Sequence, residues 1–112
     1  MHQQSIMRYC VTNSQRVGGC YIEFYAGKYD GTHWHDESLY IHDDVFYEYD
    51  LHAVFVKALP QFDHCGVTEI SLKSWAEILN GEATALQREI LCEMDQWVKT
   101  RVAGESFTVL GV

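Results

Sequence analysis

The chain has 112 residues, of which 47% are apolar, 21% charged and 13% aromatic, and its formal net charge is −8. This length describes one domain, residues 1–112, able to bury roughly 60–70% of its unfolded surface and to fold without a disulfide, metal or other cofactor. The composition argues against disorder, no uncharged apolar run nears the ~20 residues of a membrane span, and a globally acidic surface repels nucleic-acid backbones.

Ile6 to Val11 reads as a short strand closed by Thr12, Asn13 and Ser14. After Gly18-Gly19, residues 20–26 alternate cleanly. Cys20, Ile22, Phe24 and Ala26 share one face, and Tyr21, Glu23 and Tyr25 the other. Asp30-Gly31 marks a turn, and Leu39-Tyr40-Ile41 supplies a third strand, giving a three-stranded antiparallel meander. Asp43-Asp44 offers a cap and first-turn acids to one helix from Val45 to Leu59, which Pro60 ends. Residues 66–70 form a connector or short strand. A helix running to Leu79 starts at Ser74, with Glu77 at capping-box spacing, or at Ser71, and Asn80-Gly81 gives it a left-handed stop. Thr84 and Gln87 have the same spacing before a longer helix that Gly104 closes. Its apolar stripe is Leu86, Ile90, Met94, Trp97, Val98 and Val102, with Glu89, Glu93, Asp95 and Lys99 facing away. Phe107 to Leu110 is a terminal strand. The expected fold is α+β: a small antiparallel sheet of three N-terminal strands plus the C-terminal one, packed against two or three helices.

Cysteines 10, 20, 65 and 92 show no paired short spacing, so reduced, buried or inert thiols are expected. Met1-His2-Gln3-Gln4-Ser5 lacks the basic-then-apolar layout of a secretory signal, and a cytoplasmic location follows. Gly18-Gly19 lacks the lysine and helix start of a phosphate loop. Asp63-His64-Cys65 sets an acid, a base and a thiol side by side, but adjacent residues rarely face one another, and no catalytic triad is inferred. On a strand, His33 and His35 would share a face and offer two metal ligands. Gly27 and this His-X-His match the opening of the cupin metal motif, but Leu39 or Tyr40 stands where its glutamate belongs. A polar loop is the better reading.

The distribution of charge says more than its total. Residues 1–22 hold Arg8 and Arg16 and no acid, residues 23–50 hold eight acids against Lys28, and residues 51–112 hold eight acids against five bases. Within the acidic quarter, Tyr29, Asp30, His33, Trp34, His35, Asp36, Glu37, Asp43, Asp44, Tyr47, Glu48 and Asp50 form the candidate partner-binding set. Tyrosine and tryptophan join apolar area to a polar tip, and clustered acids steer a cationic partner.

With Gly66-Val67-Thr68-Glu69-Ile70-Ser71 followed by Trp75 and Ile78, and the ending Trp97…Phe107-Thr108-Val109-Leu110-Gly111, the chain resembles the small acidic immunity proteins of bacterial toxin–immunity systems, including contact-dependent growth inhibition. The resemblance implies a non-catalytic cytosolic protein that binds a cognate toxin domain, a cationic nuclease, with no direct nucleic-acid or membrane contact. The alternatives are a small metal-binding protein or enzyme using His33 and His35, or an acidic adaptor subunit.

Overall fold

The computed structural model describes residues 7–63 and 65–111. The expected strand at 6–11 forms only at β1, Cys10–Val11, and Ile6 lies outside the described residues. A 3-10 turn, Asn13–Gln15, leads towards β2, Tyr21–Ala26, and β3 follows at Leu39–His42. Then come α1, Asp43–Glu48, and α2, Leu51–Ala58. Next are β4, Val67–Ser71, α3, Leu72–Asn80, α4, Ala85–Arg101, and β5, Ser106–Leu110. The fold class is α+β, as the patterning predicts, with a five-stranded antiparallel sheet in the order β1-β3-β2-β5-β4. No described helix is long and apolar enough to cross a membrane.

The expected meander does not form. β1 pairs with β3, Cys10 opposite Ile41, because the far edge of β2 is taken by β5. That arrangement sets Phe24 opposite Val109 and stacks it on Phe107, whose rings lie 6.0 Å apart. Ile22, Phe24, Ile41, Ile70, Phe107 and Val109 form the helix-facing side of the sheet, and all are buried. Trp75 of α3 and Trp97 of α4 each meet Phe107 edge-on, at 5.5 and 6.0 Å. These rings are packing elements, and their indole N–H groups are satisfied by Asp95 and by the Glu37 carbonyl.

The single helix expected over 45–59 is two. Asp50 takes a left-handed conformation, φ 54°, between α1 and α2, and the buried Gln87 amide donates to the carbonyls of Tyr49 and Asp50 that the break exposes. The Gln87 carbonyl meanwhile completes a capping box with Thr84. Turning Gln87 inward turns Leu86 out, so Leu86, expected on the buried stripe, is 47% exposed and Leu91 takes a place in the core instead. Further expectations for the helices are not met. Gly81 is extended rather than left-handed, φ −78°, because Arg88 donates to the carbonyls of Leu79 and Gly81 and does the capping. Glu93 does not face away. Its carboxylate accepts the backbone N–H groups of Arg8, Tyr9 and Cys10 at 2.8–3.1 Å and thereby seals the β1 edge. Ser71, not Ser74, caps α3, and α4 ends at Arg101, ahead of Gly104. Of the four cysteines only Cys10 is buried.

Candidate functional site

The opposite face of the sheet is where the sequence concentrates polar and aromatic side chains. Strand register puts Tyr21, Glu23 and Tyr25 of β2 on that side, beside Tyr40 and His42 of β3 and Thr108 of β5. An acid in the middle of such a strand would ordinarily reach water. Glu23 does not: the connection from β2 to β3, residues 27–38, folds back over it and leaves it fully buried. The fold-back uses three left-handed residues, Gly27 and Gly31, both at φ 93°, and Trp34 at φ 67°. For a bulky tryptophan this conformation is costly and persists only where surrounding contacts impose it.

Glu23 imposes it. Its Oε1 accepts the Trp34 N–H at 2.7 Å, while Oε2 accepts the His35 N–H at 3.1 Å, the Ser38 hydroxyl at 2.6 Å and His35 Nδ1 at 2.7 Å. Successive N–H groups converging on one anion form a backbone nest, here filled by the chain's own carboxylate. The other ring nitrogen of His35, Nε2, lies 3.1 Å from Asp30 and 2.9 Å from the Thr32 hydroxyl. Asp30 also accepts the N–H and hydroxyl of Thr32. Tyr40 closes the arrangement by donating its hydroxyl to the His35 carbonyl.

The electrostatics follow from this geometry. Burial pushes the Glu23 pKa up, but hydrogen bonds from Ser38, His35 and the two backbone N–H groups outweigh it, and the net shift is downward. Burial likewise works against a charged His35, yet its bonds to Glu23 and Asp30 prevail and raise its pKa. Asp30 is held down at about 2, chiefly by the Thr32 N–H. Burial beside Glu23 drives the Tyr40 hydroxyl strongly upward. The centre is therefore an imidazole held between two carboxylates that favour its protonated form.

Outside this clamp, the loop displays its rings. Trp34 is 43% exposed and stacks on Tyr40 at 6.0 Å, with the Arg16 guanidinium 4.2 Å above the indole. Arg16 is steadied by Asn13, which also donates to Asp36. Tyr29 and His33 continue the aromatic run, with ring centres 5.8 Å apart.

The structure divides the candidate partner-binding set into three groups. Tyr29, Asp30, His33, Trp34 and His35 lie together on the fold-back. Asp36 and Glu37 turn towards α4, where they line an open cleft of about 430 Å³ and Glu37 pairs with Arg101 at 3.0 Å. Asp43, Asp44, Tyr47, Glu48 and Asp50 belong to α1 and its end, at the other end of β3, a strand spanning about 13 Å at ~3.3 Å per residue. Among the described residues no lysine or arginine pairs with these α1 acids, whereas His35, Asn13 and Arg101 engage Asp30, Asp36 and Glu37. His42 Nδ1 lies 3.6 and 3.7 Å from Asp43 and Asp44, so among the described residues α1 carries negative charge met by a histidine alone, and the loop carries aromatic surface. Sequence reasoning left out Glu23 and Arg16 as site residues, although a lone carboxylate flanked by Tyr21 and Tyr25 on a strand was a usable signal.

His33 and His35 do not gather with a third metal ligand among the described residues. The trio that does is His42, Asp43 and Asp44, but His42 Nδ1 accepts the Asp44 N–H at 3.1 Å, as the cap of α1, which occupies its lone pair. Of the acid–base–thiol run 63–65, His64 lies outside the described residues, and Asp63 accepts the Cys65 N–H as a local turn. Thr32, His35 and Glu23 have the spacing of a hydroxyl, base and acid in series. The Thr32 hydroxyl donates to Asp30 at 2.9 Å, and Asp30 also sits on Nε2, so the hydroxyl proton is directed at the carboxylate and not at the imidazole. Comparison of the chain with protein-family models, with curated proteins and with solved structures finds no match.

Proposed function

We propose that the chain is a non-catalytic binding protein that captures a basic partner, and that its role is immunity-type neutralisation of a cationic nuclease toxin domain. The observation that carries this reading is the Glu23 clamp, which spends a buried carboxylate and both nitrogens of His35 on holding a strained loop in one shape. A loop fixed before binding loses little entropy when a partner docks, and an exposed tryptophan on it is the kind of anchor that dominates binding energy. The acids of α1, which no described lysine or arginine answers, supply long-range attraction for a cationic surface. The engagement of both His35 nitrogens favours this over an enzyme or a metal site built on the same histidine.

The test is co-expression with the product of the reading frame directly upstream of the gene. The intact chain should restore growth that this product arrests. Trp34→Ala should speed dissociation of the complex, and Asp43→Lys with Asp44→Lys should slow association and flatten its salt dependence. No protection by the intact chain, or full protection by all variants with native folds, would refute the assignment.

A further inference from the structure

The two edges of the sheet are treated differently by the chain. The β1 edge is closed, because the Glu93 carboxylate takes three consecutive N–H groups there. The β4 edge is open. Leu72 donates to Glu105 and Gly111 donates to Gly66, one at each end of the β4–β5 ladder. In an antiparallel pair, residues alternate between facing the partner strand and facing away. Residues 66, 68, 70 and 72 therefore bond to β5, while Val67 and Glu69 aim both N–H and C=O outward and Ser71 its N–H. The Ser71 carbonyl is taken by the first turn of α3, which Ser71 caps, but among the described residues no backbone group pairs with the N–H and C=O of Val67 and Glu69 or with the Ser71 N–H. The side chains of Val67, Glu69 and Ser71 are exposed as well, Val67 by 51%, although Glu69 accepts the Ser106 hydroxyl at 2.7 Å and Ser71 Oγ accepts the Ser74 N–H; the Glu69 carboxylate keeps its charge and its remaining lone pairs for a cation. Strand β4 has no proline and no bulge, two devices that commonly blunt an exposed edge.

We infer that β4 is a docking edge that adds one extended strand from a basic partner, with a lysine or arginine of that strand opposite Glu69. Strand addition draws affinity from main-chain hydrogen bonds and selectivity from alternate side chains, and the side chain at the centre of this edge is an acid. A second copy of the chain fits poorly. The antiparallel register that uses the whole strand sets Glu69 against Glu69 of the other copy, a like-charge pair on a molecule whose net charge is already −8. A cationic strand reverses that sign. This inference shares with the proposed function only the basic character of the partner: Trp34 variants report on the loop, Glu69 variants report on the edge, and each fails alone.

The test uses a short synthetic peptide of alternating lysine and valine, its counterpart with glutamate in place of lysine, and backbone amide spectra of the whole chain. The lysine peptide should shift the amides of Val67, Glu69 and Ser71 and bind about five- to tenfold more tightly than the glutamate peptide, the difference expected from reversing a cross-strand charge pair. Glu69→Lys should invert that preference with the fold unchanged. Glu69→Pro, which deletes an outward N–H but none of the bonds to β5, should abolish binding of either peptide. Absence of shifts, equal binding of both peptides, or shifts centred on the loop at 29–37 would overturn the inference. So would protection of the same three amides by self-association of the peptide-free chain, which would make the occupant a second copy.

Discussion

Replacing Glu23 by glutamine keeps the shape of the side chain and removes the charge on which the fold-back is built. The carboxylate uses both oxygens, Oε1 for the Trp34 N–H and Oε2 for three donors from His35 and Ser38. Glutamine has one acceptor oxygen, so in either orientation its NH2 group meets a buried N–H, and His35 loses the buried one of its two counter-charges, keeping Asp30. Breaking a buried charged pair costs ~3–5 kcal/mol. His35 keeps 21% of its side chain in water and rehydrates in part, which places the loss near the lower end, about 3 kcal/mol. At an unfolding entropy of ~2.1 cal/mol/K per residue, a chain of this length should melt about 12–15 °C lower. Circular dichroism measures the drop, and hydrogen exchange locates it at the amides of Trp34 and His35.

The pH dependence of this contribution has a definite sign. The folded pKa of His35 is raised above its ordinary 6.5, so its stabilisation is complete below about 6.5 and is lost as pH rises through the folded value. Glu23, lowered from 4.5, acts in the opposite sense: its contribution is present above 4.5 and is lost as pH falls through its folded value. The clamp is therefore strongest between those two ordinary values, and Glu23→Gln should flatten both slopes. A melting shift under ~4 °C, equivalent to less than about 1 kcal/mol, or an unchanged alkaline slope, would refute the reasoning.

Three further outcomes are expected. Glu93→Ala strands three N–H groups near the β1 edge and should cost about 1–3 kcal/mol in urea unfolding, whereas Glu89→Ala on the same helix should stay within ~0.5 kcal/mol. Burial pushes the Cys10 thiol well above its ordinary range, so iodoacetamide should modify Cys20, Cys65 and Cys92 in the native protein and reach Cys10 only after denaturation, as mass spectrometry will count. Because the His42 lone pair is already used at the start of α1, thermal melts with and without a strong chelator should coincide to within ~4 °C.

Local pattern was legible where local physics decides the outcome. The alternation of β2, the Thr84–Gln87 box and the apolar run of β5 each announce an element within a few residues. What escaped depends on distant partners. The break at Asp50 is supported by Gln87, far along the chain, and Leu86 is exposed for the same reason. Glu93 looks like a solvated acid on a helical wheel and becomes an edge seal once β1 lies beside α4. Residues 29–50 look like one patch because they are contiguous in sequence, whereas the structure divides them among the fold-back, the α4 cleft and α1 at the far end of β3. Glu23 was placed on the correct face by alternation, but its burial depends on how residues 27–38 return over that face, which no periodicity encodes.

The position of β5 has a kinetic consequence. It lies between β2 and β4, so the sheet is completed by pairings as distant as Glu23 with Leu110. Until that closure happens, β2 has a bare flank and β4 has no neighbour at all, which makes the half-formed species a target for intermolecular strand pairing. Refolding should therefore be slow for a chain of this size, with yield falling as concentration rises. Substitutions that weaken β5, such as Val109→Ala, should slow the forward reaction more than equally destabilising changes in α3 wherever that closure limits the rate.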